Sequence, residues 1–128
     1  MSVEFTKRLE KLAYEISVSG HTLVSDVNEK LGGDDKGPSP HGLLESALAA
    51  CTSITVQMYA NRKGFPLKSV HVKVQITQEG LENQISREVN FEGELLTEEQ
   101  RTSMLTIAQK CPIHLFLERG AKIQTRLV

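Results

Sequence analysis

The chain has 128 residues and a net charge of −1, with 15 Lys and Arg against 16 Asp and Glu. That length suits a single domain, residues 1–128, whose core needs no disulfide or metal staple. A balanced charge with no basic stripe and only two Tyr and four Phe argues against a nucleic-acid-binding surface.

The opening residues, MSVEFTKRLEK, are charged and lack the apolar core of a signal peptide, so the cytoplasm is the expected compartment. Thiols are kept reduced there, and a cysteine pair more often does chemistry than stapling. From residue 9 to 18, Leu12, Tyr14, Ile16 and Val18 alternate with other residues, which predicts a strand. Ser19-Gly20 is a turn, and HTLVSDV returns as the hairpin partner. Residues 28–36, with Gly32-Gly33 and Asp34-Asp35, form a polar loop. A long helix follows. Ser39 is its N-cap, Pro40 suits its first position, and Gly64 with Pro66 ends it. Leu44, Ala47, Leu48, Cys51, Ile54, Thr55 and Met58 recur on one face, while Leu43, Ala50 and Val56 make the other side apolar too. Such a helix is buried, but Glu45, Gln57 and several hydroxyls argue against a membrane span.

Val70, Val72, Val74 and Ile76 alternate as a half-buried strand. A turn at 78–83 leads to a strand over 85–95, with Val89 and Phe91 on one face. Thr97 and Gln100 form a capping box, and Met104, Ile107, Ala108 and Cys111 face inward from the helix they start. Pro112 breaks that helix and begins a short one ending at Gly120. Residues 122–128 read as a final strand. The order ββαββααβ predicts an α+β domain. One small sheet and two short helices cover so apolar a central helix poorly, and self-association would complete the cover.

Cys51 sits mid-helix. It is either a small core side chain or a nucleophile, which needs a cation to hold its thiolate. Cys111 precedes Pro112 at the start of the last helix, where unpaired N–H groups favour an anion; the plainer alternative is a core cysteine at a helix break. His114 follows three residues later. A zinc site from Cys51, His41, Cys111 and His114 has no Cys-x-x-Cys behind it and is weakly supported. His21 and His71 read as surface residues. No phosphate loop or serine elbow is present.

GPSP followed by LLESALAAC resembles the peroxidatic-cysteine helix of the OsmC/Ohr family, the osmotically inducible and organic-hydroperoxide-resistance proteins. KCPIHLFLERGAKIQTRL resembles that family's resolving-cysteine segment, and SGHTLVSD…GGDDKGPSP its N-terminal hairpin and lead-in. The resemblance implies an OsmC-like fold in an intertwined homodimer with active sites at the subunit interface. It implies a peroxidase in which Cys51 attacks an organic, fatty-type hydroperoxide and Cys111 closes a disulfide, reopened by a lipoyl-type or thioredoxin-like dithiol. No flavin, haem or metal is required. In the family an arginine of the N-terminal strand, held by a glutamate, activates the peroxidatic thiol. Arg8 is the best-placed arginine here; its alternative is a solvated side chain. The acidic position falls at His41-Gly42, so Glu45 or His41 would have to replace the glutamate. Glu45 is otherwise an acid favoured by the helix dipole, and His41 a first-turn surface residue. Leu48, Ile54, Met58, Leu115 and Phe116 are the expected walls for an alkyl chain. The rival expectation is a non-enzymatic dimeric module that binds an apolar ligand in the same cleft.

Overall fold

The computed structural model describes residues 2–128. The chain forms two compact units, Met1–Glu45 and Ser46–Val128.

The first unit is an antiparallel meander of β1 (Val3–Glu10), β2 (Ala13–Val18) and β3 (His21–Ser25), in that order. The β2–β3 link is the expected two-residue turn. Ser19 and Gly20 both take left-handed φ, 48° and 79°, as the favoured hairpin twist requires. The β1–β2 turn has Lys11 at φ 49°, and the Arg8 Nε–H closes it by donating to the Lys11 carbonyl at 2.8 Å. After β3 the polar loop winds around one carboxylate. Asp26 is buried and accepts backbone N–H groups from Val27, Asp34 and Lys36. The Lys36 N–H, above all, holds the Asp26 carboxyl below its ordinary value. Gly33 is required by this winding, because a Cβ there would run into the Val27 carbonyl and the Asp26 carboxylate. The Ser25 hydroxyl donates to the Pro38 carbonyl at 2.8 Å, which fixes the lead-in to the long helix.

That helix is α1, Pro40–Lys63. The Ser39 hydroxyl accepts the Gly42 N–H at 3.0 Å, the expected N-cap. Gly64 is left-handed, at φ 72°. The Phe65 N–H returns to the Ala60 carbonyl and the Gly64 N–H to that of Asn61, a Schellman closure. The Phe65 ring then packs edge-on against Tyr59, 5.7 Å between centroids.

The second unit adds a hairpin of β4 (Ser69–Gln78) and β5 (Gln84–Glu92), then α2 (Glu98–Ala108) and α3 (Pro112–Arg119). The Thr97–Gln100 capping box is present in both directions. Val56, Ala60, Phe91, Leu96, Met104 and Ala108 form the core. Alternation along β5 sends Val89 and Phe91 inward as expected, and Arg87 is half-buried two residues before them.

Three sequence expectations are corrected. The order is βββαββαα, because residues 3–10 are a strand of their own. Val3, Phe5 and Leu9 alternate with Glu4, Thr6, Arg8 and Glu10 there, but both faces are exposed and the charges mask the pattern. Residues 122–128 form no strand and are exposed throughout; no ladder partner for them is described, and an extended segment without one is not a strand. The face of α1 buried by this chain is Leu48, Thr52, Val56 and Ala60, not the face through Ile54 and Met58, which are 60% and 64% exposed.

Candidate active site around the two cysteines

The buried stripe of α1 contains one polar residue, Thr52. Its hydroxyl donates to the Leu48 carbonyl at 2.7 Å, the usual outlet for a threonine inside a helix. With its proton committed, Thr52 Oγ1 offers lone pairs to its other neighbours. Arg87 Nη1 donates to it at 3.1 Å, and the Cys111 sulfur lies 3.8 Å away.

Cys111 is fully buried. It is the N-cap of α3, and its Sγ accepts the His114 N–H at 3.4 Å. The sequence cue for this is Cys-Pro: the proline ends the preceding helix and sits at the first position of the next. Arg87 Nη1 also reaches Cys111 Sγ, at 4.0 Å. The sulfur therefore faces a backbone N–H, a guanidinium N–H and a hydroxyl oxygen.

Arg87 is itself held. Its Nη2 lies 2.8 Å from His114 Nδ1. A guanidinium has no acceptor, so Nδ1 must be unprotonated and the imidazole proton must sit on Nε2. That nitrogen is 3.0 Å from Glu118 Oε1, one helical turn along α3. The result is a directed chain: His114 donates to Glu118, Arg87 donates to His114, and Arg87 donates to Thr52 and Cys111. Sequence reasoning missed Thr52, Arg87 and Glu118. Arg87 carried a signal, since it shares the inward phase of Val89 and Phe91. Glu118 stands four residues after His114 on a helix, where side chains meet.

Cys51 immediately precedes Thr52. It is half-buried, its thiol is free like that of Cys111, and its Sγ lies 3.9 Å from Thr55 Oγ1. His41 is exposed and Glu45 half-buried on the first turns of α1. Arg8 lies on β1 with its Nε–H engaged by Lys11. Of the expected alkyl-chain walls, Leu48 is buried and Leu115 half-buried, while Ile54, Met58 and Phe116 stand exposed. His71 is a surface residue paired with Glu92 at 2.8 Å.

No described helix is long and apolar enough to cross a membrane. Among the described residues, no group of three or more His, Cys, Asp or Glu side chains is arranged to hold a metal ion.

Comparison with known proteins places the fold in a wider group. A search of curated proteins finds no match. The fold is shared with an OsmC-like protein from Mycoplasma pneumoniae, at TM-score 0.71 and 19% identity over 83% of this chain and 79% of that one. An organic hydroperoxide resistance protein OsmC from Legionella pneumophila aligns at TM-score 0.65 and 17% identity, covering 88% and 85%. The organic hydroperoxide resistance protein OhrB of Bacillus subtilis aligns at TM-score 0.62 and 14% identity, covering 94% and 92%. At such identities the likeness is one of fold. The OsmC-like protein family model matches residues 33–126, a span that includes both cysteines and the whole polar chain around Cys111, and the chain belongs to that family.

Proposed function

We propose that this protein is a thiol peroxidase for organic hydroperoxides. The observation that carries the reading is the placement of the chain's only two cysteines: Cys51 adjoins Thr52, whose hydroxyl contacts the Cys111 sulfur at 3.8 Å. Cys51 thiolate attacks the terminal peroxide oxygen, the O–O bond breaks, and the alkoxide takes a proton and leaves as alcohol. Cys51 is then a sulfenic acid. Cys111 condenses with it, releasing water and forming the disulfide. A dithiol, lipoyl-type or thioredoxin-like, returns both cysteines to thiols and leaves as its own disulfide. The family resemblance gives Arg8 the task of holding the Cys51 thiolate, with Glu45 or His41 orienting it.

The working form in this reading is a homodimer. Ile54, Met58 and Phe116 are exposed apolar side chains, and a second copy would turn them into the walls of an alkyl-binding cleft, with apolar burial as the driving force. The chemistry needs no further cofactor. Intact mass after one equivalent of an alkyl hydroperoxide tests the proposal. The expected result is a loss of two hydrogens, absent in Cys51→Ser and in Cys111→Ser. An unchanged mass, with bound apolar ligand retained, would instead identify a non-enzymatic binding module.

A further inference from the structure

The polar chain behind Cys111 is more than a core cysteine requires. A buried thiol behaves as a small apolar group and has no need of a guanidinium. Holding Arg87 half-buried beside it costs solvation unless its donors are used, and here they are used on Thr52, Cys111 and His114. Glu118 then fixes the imidazole tautomer that allows His114 to accept from Arg87.

We propose that Arg87 is a catalytic residue for the thiol–disulfide steps, acting on Cys111 rather than on the peroxide-attacking Cys51, with His114 and Glu118 as its positioning residues. This rests on the peroxidase reading for its place in a cycle, though not for its measurement. In closure, Cys111 sulfur attacks the Cys51 sulfur, the S–O bond of the sulfenic acid breaks, and hydroxide takes a proton to leave as water. In opening, a dithiol sulfur attacks Cys51, the S–S bond breaks, and Cys111 leaves as thiolate. Both steps pass through a Cys111 anion. The Arg87 charge and the His114 N–H at the mouth of α3 face that anion in each direction. Thr52, whose proton is held by Leu48, accepts from the thiol form. One sulfur is thus provided for in both protonation states. Stabilising the leaving thiolate also stabilises the reduced protein and makes the disulfide more oxidising.

The test is the redox equilibrium of the Cys51–Cys111 disulfide in glutathione buffers, compared among wild type, Arg87→Ala, Arg87→Lys and Glu118→Gln. Arg87→Ala is expected to make the disulfide about tenfold harder to reduce, a potential lower by about 30 mV. It should also slow closure after a peroxide pulse about tenfold, while the preceding oxidation of Cys51 keeps its rate. Arg87→Lys should recover part of both, since it keeps the charge and loses the fork. Glu118→Gln should shift the potential the same way by less. Glu118 is exposed, so that variant reports even if Arg87→Ala fails to fold. An unchanged potential in a folded Arg87→Ala, or in Glu118→Gln and Arg87→Lys together, would overturn the assignment. So would failure of the wild type to form the disulfide with any oxidant. Formation with oxidised glutathione but not with hydroperoxide would sink the peroxidase reading and leave the role of Arg87 standing.

Discussion

At the residue scale, the two cysteines have different surroundings, and the difference follows from where each falls on its helix. Cys51 lies mid-helix, where the backbone N–H groups are already bonded and the dipole offers little. Its sulfur lies 3.9 Å from the Thr55 hydroxyl oxygen. Cys111 starts a helix and has donors at hand. That much of Cys111 was legible from Cys-Pro in the sequence. The guanidinium was not, because Arg87 is 24 residues away and only the β4–β5 pairing carries it to α3. For Cys51, the proposed cation is Arg8. Arg8→Ala in a Cys111→Ser background is expected to slow peroxide oxidation of Cys51 about tenfold, read by stopped-flow consumption of hydroperoxide. Loss of its bond to the Lys11 carbonyl alone would cost about 1 kcal/mol of stability and leave the rate unchanged.

At the scale of elements, the starts of the helices and the ends of α1 and α3 were legible from the sequence, whereas α2 stops at Ala108, so Cys111 lies beyond the helix from which it was expected to face inward and caps α3 instead. The legible ends are chemical signals: Ser39 and Thr97 cap, Gly64 turns left-handed, and Gly120 takes a positive φ of 69°. Strands were harder, because a strand exists only through its partner. Residues 3–10 became β1 by pairing with β2, and their masked alternation alone does not announce that partner. Residues 122–128 have the composition of a strand without a described partner. The side of α1 that is buried was also illegible, since apolar residues occur nearly all round it. The loop after β3 allows a pH prediction. Folding lowers the Asp26 carboxyl below its ordinary value of 3.8, so the folded loop binds that proton less readily than the unfolded chain. Its stabilisation is therefore full above 3.8 and fades as pH falls from there toward the folded value. Amide exchange of Asp34 and Lys36 should accelerate over that acid window in wild type. In Asp26→Asn the two amides should already exchange faster at neutral pH, without the acid step.

At the scale of the whole molecule, large apolar side chains stand in the open: Leu44, Ile54 and Met58 on α1, Phe116 on α3, and Val3 and Phe5 on β1. Scattered exposed residues of this kind are ordinary on a protein surface, whereas a contiguous apolar patch marks an interaction site. The homodimer proposed above would cover Ile54, Met58 and Phe116. Sedimentation at micromolar protein is expected to give a dimer, and the midpoint of thermal unfolding should rise with protein concentration. A folded monomer at that concentration would reject the dimer while leaving the cysteine chemistry of one chain open to test.

Because the Cys111 sulfur closes the first turn of α3, the choice of replacement at this position decides what a knock-out experiment reports. Serine is among the best residues for starting a helix, and alanine among the poor ones. Cys111→Ser keeps an acceptor for the His114 N–H and removes only the redox chemistry. Cys111→Ala deletes the chemistry and unfastens the helix that presents His114 to Arg87. The serine variant should melt at or above the wild-type temperature, and the alanine variant should lose about 1 kcal/mol. A loss of turnover seen with alanine alone would therefore be a statement about α3, and the same loss seen with serine would be a statement about sulfur.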